Sequence, residues 1–234
     1  MGPLGRNYPK TFDHAEKYAL SDTLAASTAV QPVAPGFNWY SSFDEPQKGS
    51  DGRYVLKTKR LGYIRGGHCT CLCPPSMLEK DTLAFWRFFN QKQEGACEGF
   101  GHARRKAIML ERTFDAFHLY DDARRIENEY PQGEGTSNDA TCQALKKWGL
   151  HVQYGVEAHR INSSSEPVLE HASSYRWALT VEQVWKVLGI TDGGPAPLIN
   201  SWGEDYPHVV YMPPETFARL LHEGGECDVI TDLK

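Results

Sequence analysis

Hydrophobic and polar positions along this chain follow two different periods, and the change from one to the other divides it. From Phe37 the stretch FNWYSSFDEPQKGSDGRYVLKTKRLGYIRGGHCTCLCPP sets aromatic and β-branched residues between Asp-Glu-Pro and Gly-Ser-Asp-Gly breaks, which predicts short strands joined by turns. Beyond Cys97 the period becomes helical. Phe100, Ala103, Ala107 and Leu110 share one face, and Arg104, Arg105 and Lys106 fall between them, so one buried and one wet face are expected. Ala116, Leu119, Tyr120, Ala123 and Ile126 repeat the pattern until Pro131 stops it. A third helix is expected near Ser137, with Asp139 in its first turn, Lys146 and Lys147 in its last, and Gly149 as its stop.

The last third is looser. His151 to Tyr175 holds Ser163 to Ser165 and Pro167 and reads as loop with short strands. Thr180 with Gln183 makes a capping box for a helix through Leu188, ended by Gly189. Pro214 to His222 predicts a final short helix with Phe217, Leu220 and Leu221 turned inward. At the other end, residues 1–36 are polar and contain prolines, with one weakly helical piece around Asp13 to Leu24. They read as an extended arm, either a mobile tail or a segment docked on the body or on a neighbouring subunit.

Composition narrows the class. A chain of 234 residues suits one large domain or two small lobes sharing a cleft, and 40% hydrophobic residues with 12% aromatics supply a core. The net charge of −5 and the dispersed Lys and Arg residues argue against a nucleic-acid groove or binding to an anionic membrane. No apolar run has the length of a membrane span, and MGPLGRNYPK lacks the apolar core of a signal peptide. A soluble, cytoplasmic protein, not one secreted by the usual route, is therefore expected.

Without that route the six cysteines read as thiols. Cys69, Cys71 and Cys73 alternate along an expected strand and would face one side, which beside His68 suggests zinc. Side chains two apart on one strand suit a tetrahedral ion poorly, and no second ligand pair follows at finger-like spacing. The three are read as small buried hydrophobes, and no metal or other cofactor is expected. Tyr120, Trp177 and Trp185 are read as core aromatics before cleft-lining ones.

The remaining thiol with a chemical context is Cys97, in QKQEGACEGFG, residues 91–101. At a helix start it feels the positive end of the helix dipole and nearby backbone N–H groups, which favour thiolate. Gln91, six residues upstream, offers a side-chain amide to an oxyanion; Gln93 is the alternative if the loop differs by a residue or two.

This stretch resembles the active-site segment of papain-like cysteine peptidases, with Gln91, Gly95, Cys97 and Phe100 where that pattern needs them. LINSWGEDY, near the C-terminus, resembles the family's Asn-Ser-Trp-Gly segment, which implies that Asn200 orients the catalytic His and that Trp202 shields their hydrogen bond. GEGTSNDATCQALKKWG, residues 133–149, is similar to the substrate-side segment of bacterial and bacteriophage members. The family's catalytic His lies between the Cys and Asn segments, yet here that interval carries no such strand. His151, His159 and His171 fall in it, in polar, loop-like surroundings, and read as surface histidines. YIRGGHCTCLC, residues 63–73, instead resembles the family's catalytic-His strand, and FNWYSSFDEP the segment leading to it in phage-type relatives. The resemblance therefore implies a permuted order, His68 then Cys97 then Asn200, with the His hairpin moved to the front and free to pair with the Asn200 strand. Such constellations work through position in space and occur in several chain orders.

The fold implied is α+β and papain-like, a two-lobe arrangement with a helical lobe carrying Cys97 and an antiparallel β-rich lobe carrying His68 and Asn200. Residues 1–36 would be the arm and 37–234 the papain-like domain, divided into a β-hairpin segment (37–75), the helical lobe (76–150) and the remainder of the β lobe (151–234). The function implied is thiol-dependent hydrolysis of peptide or amide bonds through an acyl-enzyme, with a peptide or protein as substrate. The alternative is a catalytically inactive papain-fold protein serving structure or assembly, as in a bacteriophage particle, with neighbouring subunits held through the arm. The arm and the rearranged order favour the alternative; four matching site residues favour the enzyme.

Overall fold

The alternating stretches of the first half become strands that close onto strands from the end of the chain. The computed structural model describes residues 18–57, 59–80, 89–152, 167–168, 172 and 174–231. It is a mixed α+β structure. Strands β1 (Ala34–Tyr40), β2 (Gln47–Lys48), β3 (Tyr54–Val55), β4 (Ile64–Cys69) and β5 (Cys71–Leu72) come first. Short β6 (Leu150–His151) and β7 (Pro167–Val168) pair with each other, and β8 (Tyr175–Trp177), β9 (Ala196–Ile199), β10 (Val209–Met212) and β11 (Glu226–Ile230) follow. One sheet has the order β4-β1-β11-β8 and is antiparallel throughout; the second has the order β2-β3-β10-β9-β5. Its β10–β3 pair is parallel, a departure from the all-antiparallel expectation.

The front hairpin does pair with the strand before Asn200: Cys71 stands opposite Ile199 and Leu72 opposite Leu198. Because β4 and β5 are separated only by Thr70, one nearly continuous run of chain belongs to both sheets. That run carries His68 in the first sheet and touches the Asn200 strand in the second.

After the first, the helices form where their boundary residues predict. Helix α1 (Asp22–Ser27) is short, and Ser21 caps it by accepting from the Leu24 N–H. It lies partly beyond the expected Asp13–Leu24 piece, whose beginning falls outside the described residues. Helix α2 (Cys97–Leu110) opens at the cysteine, and α3 (Ala116–Ile126) begins at Asp115, whose carboxylate accepts from the His118 N–H. In α4 (Asn138–Lys147) the Ser137 hydroxyl caps the Ala140 N–H, Asp139 and the two lysines complement the dipole, and Gly149 takes a positive φ of 77° after the last turn. The Thr180/Gln183 capping box starts α5 (Val181–Val187), and Pro214 opens α6 (Pro214–His222).

Two principal apolar cores result. One gathers Trp39, Phe43, Leu72, Leu198, Val210 and Phe217 among strands, α5 and α6; the other gathers Phe100, Ala103, Tyr120, Ala123, Ala144 and Leu145 among α2, α3 and α4. Trp177 and Trp185 are buried in the structure, as is Tyr120. The described part of the arm lies on this body, with Leu20, Ala25 and Val33 buried and β1 already begun at Ala34.

Helix α2 departs from expectation. Arg104, Arg105 and Lys106 are buried, so the helix has no wet face over most of its length. The charges are accommodated by partners that a one-helix reading cannot see. Arg105 pairs with buried Asp228 of β11 and donates to His102 Nδ1 at 2.8 Å. The Arg104 guanidinium lies 4.7 Å over the Phe89 ring. Since Arg105 donates to Nδ1, His102 donates through Nε2 to Asn138 Oδ1 at 2.8 Å, and Asn138 Nδ2 donates to the Ala34 carbonyl at 3.1 Å. This buried polar chain ties α2 to α4, β1 and β11.

Candidate active site

Glycines set how closely α2 meets its neighbours. A Cβ on Gly101 would lie 2.7 Å from Cys69 Sγ and 2.9 Å from the Thr70 carbonyl oxygen, so only a bare backbone lets the end of β4 rest on the helix. Gly99 does the same toward α3, where a Cβ would meet the Ala116 carbonyl oxygen at 2.3 Å. The first turn of α2 is thereby wedged between the His68 strand and α3. Cys97, only 3% exposed, packs in one apolar cluster with Ala34 and Cys69, the residue after His68. No side chain caps this helix start.

His68 is 2% exposed and sits on β4 opposite Phe37 of β1. Its Nε2 lies 2.7 Å from Asn200 Oδ1. The Ser201 backbone N–H donates to the same oxygen at 2.7 Å, which fixes the amide with oxygen toward the ring. Nε2 must therefore carry the hydrogen, and Nδ1 is left with the lone pair. Nδ1 is buried with no hydrogen-bond partner among the described residues. Two indoles enclose the ring: Trp202 stacks on it with centroids 5.0 Å apart at 28°, and Trp39 meets it edge-on at 4.8 Å. Burial pulls the imidazole from its ordinary 6.5 to about 4, against the Asn200 hydrogen bond, which raises it, and with a smaller push from Arg65. At neutral pH this ring is a neutral base.

Gln91 is fully buried, whereas Gln93 is exposed. Its Oε1 accepts from the Ser201 hydroxyl at 2.5 Å and its Nε2 donates to the Glu94 carbonyl at 2.9 Å, so the orientation of the amide is set from both ends. The Gln91 N–H donates to the Ser201 carbonyl at 2.9 Å, and Asn90 bridges to Trp202. The Asn-Ser-Trp turn thus holds both the imidazole and the glutamine. Ser201 was not singled out from the sequence; its signal there was only its place between two residues that were.

Across from this loop, a Cβ on Gly95 would lie 3.2 Å from the Gly135 nitrogen. The 132–137 segment is anchored from α3: Tyr120 Oη accepts from the Gly135 N–H at 3.0 Å, and Arg124 donates to the carbonyls of Gln132 and Gly133, each at 2.8 Å. Glu127 accepts from the Thr136 and Ser137 hydroxyls at 2.6 Å. Loops 91–96 and 132–137 therefore face each other as two held walls.

All six cysteines are buried free thiols. Cys71 and Cys73 pack with Ile108 and Ile199, apart from Cys69, so the three do not form one ligand group. Burial pushes the thiols of Cys69, Cys142 and Cys227 well above the ordinary value, helped at Cys69 by the Glu98 carboxylate and at the other two by Asp228. Of the other histidines, His151 is half-buried on β6, not a surface loop residue, while His159 and His171 lie outside the described residues. Comparison of the chain with family models, curated proteins and solved structures returned no match.

Proposed function

We propose that this chain is a permuted papain-like cysteine peptidase or amidase, its helical and β-rich halves forming the two lobes and Cys97, His68 and Asn200 the catalytic unit. The single observation that carries the reading is the His68–Asn200 hydrogen bond, with Nε2 committed to Asn200 and a neutral Nδ1 that has no partner among the described residues. A scaffold has no need of an imidazole held in one tautomer between two indoles.

In this mechanism His68 Nδ1 takes the Cys97 thiol proton as sulfur attacks the substrate carbonyl. The imidazolium so formed keeps its Nε2–H on Asn200 and lies against the Trp202 face, which favours a cation. The Cys97 backbone N–H and a Gln91 Nε2–H hold the oxyanion; losing one such donor typically costs about 3 kcal/mol of barrier. The tetrahedral adduct collapses to a thioester as the imidazolium gives its proton to the leaving amine. Water, deprotonated by the same Nδ1, then releases the acid and the thiol.

Iodoacetamide tests this with mapping of the labelled peptide. The expected result is alkylation of Cys97 near neutral pH at least about tenfold faster than an ordinary exposed thiol, falling to that rate in His68→Ala. Equal rates in both proteins, no faster than a simple thiol, would leave the structural or assembly role as the standing reading.

A further inference from the structure

Between α3 and β6 two histidines and an aspartate meet. His118 and Asp122 lie one turn apart on α3, and His151 comes from β6. The two imidazole centroids are 3.7 Å apart, and His118 Nε2 lies 3.3 Å from Asp122 Oδ2. One donor atom from each of the three falls within 4.8 Å of the others. His151 Nδ1 is buried with no hydrogen-bond partner among the described residues. We propose that His118, Asp122 and His151 bind one divalent transition-metal ion, with Zn2+ the best match.

The donor set and its spacing support this. Imidazole and carboxylate are ordinary zinc ligands, and bonds of about 2.0 Å in a tetrahedron put donor atoms about 3.3 Å apart. The His118–Asp122 edge already has that length. The two imidazoles, with centroids 3.7 Å apart beside the Asp122 carboxylate, bring three ligand-type donors to one point.

The groups around the three residues hold them in place. Arg125 donates to Asp122 Oδ1, leaving Oδ2 turned toward His118, the kind of outer contact that orients a ligating carboxylate. Asp115 accepts from the His118 N–H at 2.9 Å through its side chain and donates its own N–H to the His151 carbonyl at 2.9 Å. Phe114 and Val152 form a bridge next to that bond. The start of α3 and strand β6 are thus fastened together on either side of the site. His118 is 23% exposed, so an ion has a route from solvent.

Two other groupings have similar spacing, Cys69 with Glu98 and His102, and His102 with Cys142 and Asp228. Both depend on His102, whose Nδ1 accepts from Arg105 and whose Nε2 donates to Asn138, so neither nitrogen offers a lone pair. The α3–β6 site is free of that conflict. Three protein donors would leave a fourth position to water, and the ion would cross-link α3 to β6.

The test uses the full chain carrying Cys97→Ala, which removes the thiol of the proposed active site. Zn2+ is titrated against a chromophoric chelator, and Co2+ is followed by visible absorption. The expected result is one equivalent of Zn2+, bound at least about tenfold more weakly by His118→Gln and by His151→Gln. Zn2+ should raise the melting temperature of the parent but not of these variants. Co2+ should give d–d bands without thiolate charge transfer. His118→Gln keeps the backbone N–H that Asp115 caps, so it carries the test if His151→Gln folds poorly. No bound Zn2+, affinity unchanged in His118→Gln, or a thiolate charge-transfer band as the sole Co2+ signal would overturn the proposal.

Discussion

His68 Nε2 and Asn200 Oδ1 stand 2.7 Å apart, and the Ser201 N–H on the same oxygen decides that the imidazole is the donor. Asn200→Ala should let the ring change tautomer and rotate. Loss of one buried hydrogen bond, about 1–3 kcal/mol, predicts Cys97 alkylation slowed roughly 5- to 150-fold. Asn200→Asp keeps an acceptor and adds a negative charge, so it should move the acidic limb of the alkylation–pH profile upward. A profile unchanged in position would show that residue 200 does not govern the base.

The enclosure that keeps His68 neutral also predicts acid sensitivity. Its folded value is about 4 and its ordinary value 6.5, so between these pH values the unfolded chain binds more protons and stability falls as pH falls. The loss begins near pH 6.5 and is complete below about 4, amounting to roughly 3 kcal/mol. Cys97→Ala, which has no thiolate to pair with the ring, is the suitable background. Urea unfolding at pH 7 and pH 4.5 should show this loss, and His68→Gln in the same background should show less of it.

In the proposed mechanism Gln91 would touch the reacting oxyanion, whereas Ser201 would only position Gln91. Gln91→Ala should lower kcat by about 10²–10³ for any amide substrate that is found, through loss of an oxyanion donor. Ser201→Ala removes only the hydroxyl that fixes the Gln91 amide, and a smaller fall in kcat with little change in KM is expected. Equal losses in the two variants would contradict this division.

Gly101 reverses the usual helix rule. Replacing Gly by Ala inside a helix normally stabilises by about 1 kcal/mol, but here the new methyl would press on Cys69 Sγ and the Thr70 backbone. Gly101→Ala is expected to destabilise by about 1–3 kcal/mol in urea unfolding and to slow Cys97 alkylation, because it pushes the His68 strand off the helix.

Asp228 supports the charge buried in α2. Asp228→Ala would strand Arg105 without its counter-charge and should cost about 3–5 kcal/mol, measured by denaturant unfolding. Replacing both residues with apolar ones of similar volume should recover much of that loss.

Local rules made the helix limits legible in the sequence. Ser137, Thr180 with Gln183, Pro214, Gly149 and Gly189 act through contacts with residues three or four away, so neighbouring residues suffice to read them. The start of α2 at Cys97, which no side chain caps, was legible from the helical period that follows it, and β1 and β4 were legible from their alternation. What the sequence could not convey was the environment of the charges on α2. The buried state of Arg105 depends on Asp228, 123 residues away, and that of Arg104 on Phe89 in a different segment. Helical periodicity predicts which positions share a face, but not that every face will be covered. His151 likewise looked like a loop histidine because its neighbour His118 lies 33 positions upstream and meets it only through the pairing of Asp115 and Phe114 with β6. The sequence by itself determined where helices α2 to α6 begin and end. Only the tertiary structure decided which nitrogen of His68 carries the hydrogen, since that follows from an amide and a backbone N–H brought to the ring from the opposite end of the chain.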